Sequence, residues 1–230
     1  MKIGGLQKFS LIDYPGKICA IVFTQGCNFL CPYCHNPELV EPKLFSQLIP
    51  EDEIFSFLKK RKGQLEAVTV TGGEPCLQNG LSEFLQKIKE MGYLVKLDTN
   101  GSFPELLSEI IRQSLIDYLA IDVKGPLEKY ETIAGVPFAT EKIVKSIKIA
   151  ISSKISYEFR TTVIKSLLDK DDLRKIGELI EGTHLYVLQK FVPSKLLNPS
   201  KFLKERNYSE EEFDLFKQMM LNYAEDCVIR

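Results

Sequence analysis

A regular alternation of two hydrophobic patterns constrains the fold more than any other feature. Six short apolar runs, typical of parallel strands buried on both faces, occupy residues 18–23, 67–71, 94–97, 118–123, 157–163 and 185–188. Amphipathic segments with helical spacing separate them, as between Leu81 and Met91. Strands that follow one another at roughly 30 residues match the size of a βαβ unit. The pattern predicts an α/β domain with a parallel sheet, and it leaves a doubly wound sheet and an incomplete barrel both open.

The chain is expected to form a single domain over residues 1–230. A chain of 230 residues can bury a sizeable core without disulfide bonds. It contains no internal repeat, no low-complexity tract and no change of composition that marks a linker. Residues 193–208 are polar and punctuated by proline and asparagine, so a long loop is predicted there, followed by a helix at about 209–223. This C-terminal loop and helix would occupy about 193–230.

Composition argues against nucleic acid and membrane as partners. Lys and Arg total 30 and Asp and Glu total 31, so the chain lacks the basic excess of a nucleic-acid-binding surface. No apolar run approaches the ~20 residues of a membrane span. The first residues lack the apolar core of a signal peptide. A cytoplasmic location is therefore expected, where cysteines usually serve metals or catalysis.

Three cysteines form the most informative cluster. Cys27, Cys31 and Cys34 lie in a loop, about residues 25–37, that directly follows the first buried strand. Chemistry in α/β sheets collects on loops at the carboxyl ends of strands, and three thiolates on one loop can converge on a soft metal site. A structural zinc ion and a cubane iron–sulfur cluster both use four protein ligands as a rule. Three cysteines would leave one iron free to bind a substrate or cofactor.

Other interpretations of the cysteines remain open. His35 could complete a zinc site, Cys76 could close a conventional electron-transfer cluster, or the three cysteines could be buried together by chance. Cys19, Cys76 and Cys227 are scattered and are interpreted as small apolar packing residues.

Polar motifs follow the later strands. Gly72, Gly73 and Glu74 end the second strand, Asp98 and Thr99 end the third, and Asp122 and Lys124 end the fourth. Each could be a simple turn or helix cap. Together they would place mixed charges at one edge of the sheet. Arg160 lies within the fifth strand, and it is expected to pair with a carboxylate such as Glu158 on the same face, or to bind a carboxylate of a cofactor.

The cysteine spacing, Cys-x3-Cys-x2-Cys with Tyr33 before the last cysteine, resembles the signature of the radical S-adenosylmethionine (SAM) superfamily. The continuation from Cys34 to Pro37, which ends in His-Asn-Pro, resembles the activases of glycyl radical enzymes. The stretch from Gly4 to Gly16 is similar to activating proteins of anaerobic ribonucleoside-triphosphate reductases. The likeness extends over nearly the whole chain.

The resemblance implies an incomplete parallel (β/α)6 barrel, a [4Fe–4S] cluster and SAM. Cys27, Cys31 and Cys34 would bind three irons, and the amino and carboxylate groups of SAM would chelate the fourth. One electron from the reduced cluster would break the sulfonium C5′–S bond, and the 5′-deoxyadenosyl radical would abstract a hydrogen atom from the substrate. The cofactors would supply the reactivity, and the protein would supply position and exclusion of water.

The resemblance also implies which residues bind SAM. The implied contacts come from Tyr33, Asn36, Gly72, Gly73, Glu74, Asp98, Thr99, Asp122 and Lys124. The last four would contact either the methionine part of SAM or the peptide substrate. Some relatives place a monovalent cation near the two aspartates. Formate-lyase activases carry a histidine near the adenosine on the sixth strand, whereas this chain has none there and offers Gln189 or Phe191. This departure weakens a formate-lyase assignment.

The implied activity is that of an oxidoreductase that abstracts a hydrogen atom from a glycine of a partner glycyl radical enzyme, foremost an anaerobic ribonucleotide reductase. A flavodoxin-like or ferredoxin-like protein would donate the electron. The alternatives are another glycyl radical enzyme of the formate-lyase type, a small-molecule substrate, or a zinc-held interaction module without enzymatic activity.

Overall fold

The computed structural model describes residues 1–193 and 202–230. Its centre is one eight-stranded sheet whose strands follow in chain order. They are β1 Ile3–Ser10, β2 Cys19–Thr24, β3 Ala67–Gly72, β4 Leu94–Thr99, β5 Tyr118–Asp122, β6 Ser156–Val163, β7 Thr183–Lys190 and β8 Ala224–Ile229. β1 pairs with β2 in antiparallel orientation, and every other neighbouring pair is parallel.

Helices connect the parallel strands. They are α1 Glu51–Lys60, α2 Leu81–Glu90, α3 Pro104–Arg112, α4 Tyr130–Ala134, α5 Glu141–Ser152, α6 Lys170–Leu179 and α7 Glu210–Met220. Capping boxes fix the first turns of α6 and α7. The side chains of Asp169 and Ser209 each accept a hydrogen bond from the backbone N–H of the third helical residue, and the side chain of that residue accepts one from the backbone N–H of the capping residue. The apolar faces of these helices pack on the sheet, for example through Phe84 and Ile176.

The strand order decides between the two sheet forms that the sequence left open. Crossovers between parallel strands are almost always right-handed, so strands that follow in unbroken order place all their helices on one face of the sheet. A doubly wound sheet needs a reversal of strand order, and the described strands have none. The sheet therefore curls with its helices outside. Among the described residues, β1 and β8 form no ladder with each other, and the barrel is incomplete.

The two faces of the sheet differ in chemistry. Alternate residues such as Val68 and Val70 face outwards and join the main core beneath the helices. On the inner face, a small apolar plug closes the end where the strands begin, and it consists of Tyr14, Cys19, Ile21, Ala67 and Tyr118. Above this plug the inner face is polar, which leaves the carboxyl ends of the strands for a ligand site.

The predicted α/β partial barrel is confirmed, and all six predicted strands are present as β2–β7. Two strands, β1 and β8, were not predicted. The helix expected at about 209–223 is α7, and β8 follows it where only a loop and a helix were expected. Part of the expected loop at 193–208 lies outside the described residues. Within the described ranges, no helix has the length and apolar character needed to cross a membrane.

Candidate active site

A cavity of about 250 Å³ opens at the carboxyl ends of the parallel strands. The twelve residues predicted as site residues all line it: Cys27, Cys31, Tyr33, Cys34, Asn36, Gly72, Gly73, Glu74, Asp98, Thr99, Asp122 and Lys124. They come from loops that are far apart in sequence, and the parallel strands bring them to one edge. The wall of the cavity also includes His35, Asn100, Arg160, Thr162 and Gln189.

The cysteine loop is held by its backbone at several points. Gly26 adopts a positive φ of 103°, and its N–H donates to the carbonyl of Leu39 at 2.7 Å. The N–H of Leu30 donates to the carbonyl of Ala134 at 2.8 Å. A turn closes between Cys31 and Cys34, whose N–H donates to the carbonyl of Cys31 at 3.0 Å. These bonds fix the positions from which the three thiols face the cavity.

Burial dominates the chemistry of the three thiols. Desolvation raises the pKa of Cys27 to about 12, with a further contribution from the nearby carboxyl of Glu74. Desolvation raises the pKa of Cys31 to about 11, against an opposing effect of the Lys124 ammonium, and it also raises the pKa of Cys34. Thiols in this setting ionise only when a cation compensates them, and a metal group bound by the three cysteines would supply that charge.

Aromatic side chains support both halves of the loop. Phe29 packs edge-on against Phe138, with ring centroids 5.0 Å apart. His35 stacks on Phe191 at 5.4 Å, and its Nε2 lies 2.8 Å from the carbonyl oxygen of Val192, to which it donates. His35 therefore supports the loop structurally. Tyr33 is buried and packs edge-on against Phe202 at 6.4 Å.

The paired glycines after β3 are required by space. A Cβ on Gly73 would lie 2.1 Å from the carbonyl oxygen of Gly26, and one on Gly72 would lie 2.4 Å from the backbone nitrogen of Thr24. Gly72 also adopts a positive φ of 123°. The N–H of Glu74 donates to the carbonyl of Gly26 at 2.8 Å. The turn after β3 and the start of the cysteine loop are thus packed backbone against backbone.

Glu74 lines the cavity and is also held by hydrogen bonds from the protein. Its side chain is fully buried, and both carboxylate oxygens accept hydrogen bonds. Oε1 accepts from the hydroxyl of Thr99 at 2.6 Å and from the N–H of Cys76 at 2.9 Å, while Oε2 accepts from the N–H of Asn100 at 2.7 Å. Burial raises the pKa of this carboxyl, and the hydrogen bonds oppose that shift. Glu74 ties the end of β3 to the end of β4.

Asn100 was missed as a site residue, because the pair Asn100-Gly101 is typical of a tight turn. Its side-chain amide lies 4.0 Å from the sulfur of Cys27 and donates to Asn28 at 3.0 Å. Asn28 in turn donates to the hydroxyl of Ser102 at 3.0 Å. This chain of amides places an N–H donor beside one thiol. The position of Asn100 directly after Asp98 and Thr99, at the end of the strand, was the feature that could have identified it as a site residue.

A network of charges forms the inner wall of the cavity. The guanidinium of Arg160 lies between two carboxylates, with Nε 2.9 Å from Asp122 and a terminal nitrogen 3.1 Å from Asp98. The ammonium of Lys124 lies 3.0 Å from Asp122, and Lys96 pairs with Asp98. The expected pairing of Arg160 with a carboxylate is therefore present, and Glu158 is a more distant partner at 3.8 Å.

The pairing sets the charge state of this network. Burial alone would raise the pKa of Asp122, but Arg160 and Lys124 outweigh it and hold that pKa below its ordinary value. Burial alone would lower the pKa of Lys124, but Asp122 outweighs it and the net pKa is raised. Both side chains are therefore charged at neutral pH. The wall offers a carboxylate and an ammonium side by side to a zwitterionic ligand.

The sequence offered His35 and Cys76 as possible fourth ligands beside the three cysteines, and both have other surroundings in the structure. His35 uses Nε2 for the carbonyl of Val192, so only Nδ1 would remain for zinc. Cys76 is buried beneath the Glu74 carboxylate, and it is not among the residues that line the cavity within the described ranges. No group of three His, Cys, Asp or Glu side chains close enough to hold one metal ion is found in residues 1–193 and 202–230, and this includes the three cysteines. The fit of the three thiols therefore concerns a cluster of several irons, in which each thiolate binds a different iron.

Comparison with known families agrees with this arrangement. The sequence model of the radical SAM superfamily matches residues 21–180. That segment includes the cysteine loop and the ends of β3–β6, where the cavity lies. The chain belongs to the radical SAM superfamily, in the group that resembles activases of glycyl radical enzymes. Its cofactors are accordingly a [4Fe–4S] cluster and SAM.

Individual relatives narrow the comparison. A provisionally named glycyl-radical enzyme activating enzyme of Methanocaldococcus jannaschii is 34% identical, over 99% of this chain and 95% of its own length. A pyruvate formate-lyase-activating enzyme of Staphylococcus epidermidis is 30% identical, over 77% of this chain and 74% of its own length. The structure of Streptococcus suis SuiB bound to precursor peptide SuiA has a TM-score of 0.72 at 12% identity, covering 91% of this chain and 48% of SuiB. The last likeness concerns the fold alone.

The residues present fit both cofactors. Three thiols on one backbone-anchored loop provide soft ligands for a cluster, and no fourth protein thiol lines the cavity within the described residues. The adjoining wall carries the mixed charges that an amino acid and a ribose diol require. A cluster held by these three cysteines would keep one iron free of a protein ligand.

Proposed function

We propose that the chain activates a glycyl radical enzyme by abstracting a hydrogen atom from a backbone glycine, and that its foremost partner is an anaerobic ribonucleoside-triphosphate reductase. One observation carries the proposal: three thiols and a zwitterionic wall line the same cavity at the open end of the barrel. The similarity to activating enzymes over nearly the whole chain supports the coarser activity. The likeness of residues 4–16 to reductase activases supports the reductase as the particular partner.

Each site residue has a proposed role. Cys27, Cys31 and Cys34 bind three irons, and Asn100 donates towards the sulfur of Cys27. When bound, the reduced cluster and SAM supply a carbon-centred radical. The backbone of Gly72 and Gly73 approaches the methionine part of SAM, and the Asp98, Thr99, Asp122 and Lys124 side chains orient its charged groups and ribose. Tyr33 and Asn36 form the part of the site wall next to the cysteines. Glu74 holds the turn after β3 through its bonds to Thr99 and Asn100, and as a residue that lines the cavity it also contributes to the SAM site.

The remaining parts of the proposal follow from the fold. Residues 1–230 act as one domain, because a single sheet includes strands from both ends of the chain. The electron comes from a flavodoxin-like or ferredoxin-like protein, since a cluster accepts one electron at a time at low potential. The six free cysteines support a reducing cytoplasmic setting.

The test mixes the reduced protein, SAM and the purified reductase under anaerobic conditions. Electron paramagnetic resonance should then show a glycyl radical doublet, with one 5′-deoxyadenosine formed per radical. Cleavage of SAM without a doublet would contradict the reductase as partner. A zinc-bound, iron-free protein after anaerobic purification would contradict the whole proposal.

A formate-lyase type enzyme is the second candidate partner, because the 30% identity to a pyruvate formate-lyase-activating enzyme extends over 77% of the chain. Running the same assay with each glycyl radical enzyme in turn separates the two. A small-molecule substrate would instead appear as a new product when the reduced protein is incubated with metabolite extracts.

A further inference from the structure

A buried carboxylate lies next to the charge network of the catalytic cavity. Glu158 is on β6, two residues before Arg160, so both side chains lie on the inner face of the barrel. The side chain of Glu158 is fully buried. A buried carboxylate is costly unless cations and hydrogen-bond donors compensate it. The groups that neutralise Glu158 therefore affect the charges that remain available to the rest of the network.

Arg230 is the main partner of Glu158. Its two terminal nitrogens donate to the two oxygens of this carboxylate at 3.0 and 2.9 Å, and the hydroxyl of Tyr118 donates a third bond at 3.1 Å. Arg230 directly follows β8, and its backbone is bonded to β7. Its N–H donates to the carbonyl of Leu188 at 3.0 Å, and its carbonyl accepts from the N–H of Lys190 at 2.8 Å. The backbone thus holds the guanidinium in place for a bidentate pair.

Arg160 is the other cation near Glu158. Its terminal nitrogen Nη1 lies 3.1 Å from Asp98 and 3.8 Å from Glu158, and its Nε lies 2.9 Å from Asp122. A separation of 3.8 Å is too long for a hydrogen bond, so the two aspartates hold the guanidinium. Glu158, Arg160 and Arg230 all line a cavity of about 390 Å³. The guanidinium of Arg160 therefore has room to turn towards Glu158.

Loss of Arg230 would change this balance. Glu158 would keep the hydroxyl of Tyr118, and among the residues that the structure describes the one remaining cation within 4.0 Å would be Arg160. Attraction between charges is strong in the interior of a protein, where little water screens it. The guanidinium of Arg160 would be drawn to the unpaired carboxylate. Asp98 and Asp122 would then lose the donor that orients them.

We propose that Arg230 is a positioning residue of the SAM site: it neutralises Glu158 and so keeps Arg160 on Asp98 and Asp122. This inference rests on the roles proposed above for the two aspartates. Arg230 is not among the described residues that line the catalytic cavity, so it acts on SAM through other side chains and not by contact. Partners of this kind typically contribute about tenfold to a hundredfold to the affinity of the group they orient.

The first experiment is a double-mutant cycle on the reconstituted protein without a glycyl radical enzyme. Equilibrium dialysis measures the dissociation constant of SAM at about pH 8, where carboxylates are ionised. In Arg230→Gln this constant should rise about tenfold or more. Arg230→Lys keeps the charge and should restore most of the affinity. Arg230→Gln/Glu158→Gln removes the competing carboxylate as well, and its constant should return to within about twofold of wild type.

Arg112→Gln is the matched control. Arg112 pairs with Glu109 on α3, where its Nε lies 3.1 Å from the carboxylate and its side chain is 70% exposed. The same substitution at this surface pair should leave the affinity for SAM unchanged. A loss of affinity in Arg112→Gln equal to that in Arg230→Gln would overturn the inference.

The double variant separates positioning from a merely structural role. If the ion pair only stabilised the fold, the double variant would bind SAM as weakly as Arg230→Gln, because the pair is absent from both. That result overturns the inference, and so does wild-type affinity in Arg230→Gln. An unfolded Arg230→Gln that the second substitution does not repair overturns it as well, since the unpaired carboxylate is then not the cause.

A second experiment uses the apo protein, so its result does not depend on the cluster, SAM or a partner. The Nε–H of Arg160 donates to Asp122 at 2.9 Å, and its nuclear magnetic resonance signal can be assigned by its loss in Arg160→Lys. The signal should shift and exchange faster with water in Arg230→Gln, and return to the wild-type position in the double variant. One unchanged signal in all three proteins would overturn the inference. A wild-type protein that binds SAM but gives no glycyl doublet overturns the proposed partner and leaves this inference standing.

Discussion

Gly73→Ala tests whether the cysteine loop depends on direct backbone packing. The new Cβ would lie 2.1 Å from the carbonyl oxygen of Gly26 and 2.6 Å from its carbonyl carbon, and backbone atoms cannot yield as a flexible side chain can. Overpacking of this kind costs about 1–3 kcal/mol or more. For a chain of this size, that loss lowers the melting temperature by about 2–12 °C. Because Gly26 precedes Cys27, the iron content after reconstitution should fall together with stability.

Gly5→Ala is the matched control. Its new Cβ would lie 3.5 Å from Phe23, an ordinary contact, and Gly5 does not adopt a positive φ. Thermal unfolding of the two apo variants and iron and sulfide analysis after reconstitution provide the comparison. If Gly73→Ala melts and binds iron like Gly5→Ala, the two loops are not packed as described and the account of the paired glycines is wrong.

Three further predictions concern single side chains. Cys31→Ser should lose most iron while Cys76→Ser retains it, as metal analysis would show, and equal loss would contradict the three-thiol site. Glu74→Gln should place an amide donor against one of the buried donors and cost about 1–3 kcal/mol in urea unfolding; an unchanged midpoint would refute its anchoring role. Arg160→Gln should cost about 3 kcal/mol or more at neutral pH. Because the pKa of Asp122 is depressed in the folded protein, its carboxylate stabilises the fold at pH values above its ordinary pKa of 3.8, and this stabilisation is lost as the pH falls. The free energy of unfolding of the variant should therefore decrease less steeply in acid than that of wild type. Parallel acid limbs for variant and wild type would contradict this pairing.

The location of the site could be predicted because parallel strands end at one edge. Apolar residues predominate in the buried strands, so the polar residues at the strand ends stand out, as Asp98 does after Leu97. The sheet then brings these ends together whatever their separation in sequence. The cysteine spacing added the chemistry. Neither step required knowledge of how the chain closes on itself.

Features that depend on tertiary contacts could not be predicted. β1 contains two glycines and exposed polar residues, and β8 is acidic and half exposed, so neither has the apolar pattern of the central strands. Their pairing is set by neighbours that the local sequence does not reveal. The sequence also did not show that Glu74 faces three donors, or that Arg160 bridges two strand ends, since both depend on register between strands.

The central claim is that Cys27, Cys31 and Cys34 hold a cluster with one iron open to SAM. Electron–nuclear double resonance on the reduced protein, with SAM labelled at its amino nitrogen and carboxylate, tests it most directly. The account predicts hyperfine coupling between those labels and the cluster, and a cluster spectrum that changes when SAM is added. A spectrum unchanged by saturating SAM, without coupling to either label, would contradict the account.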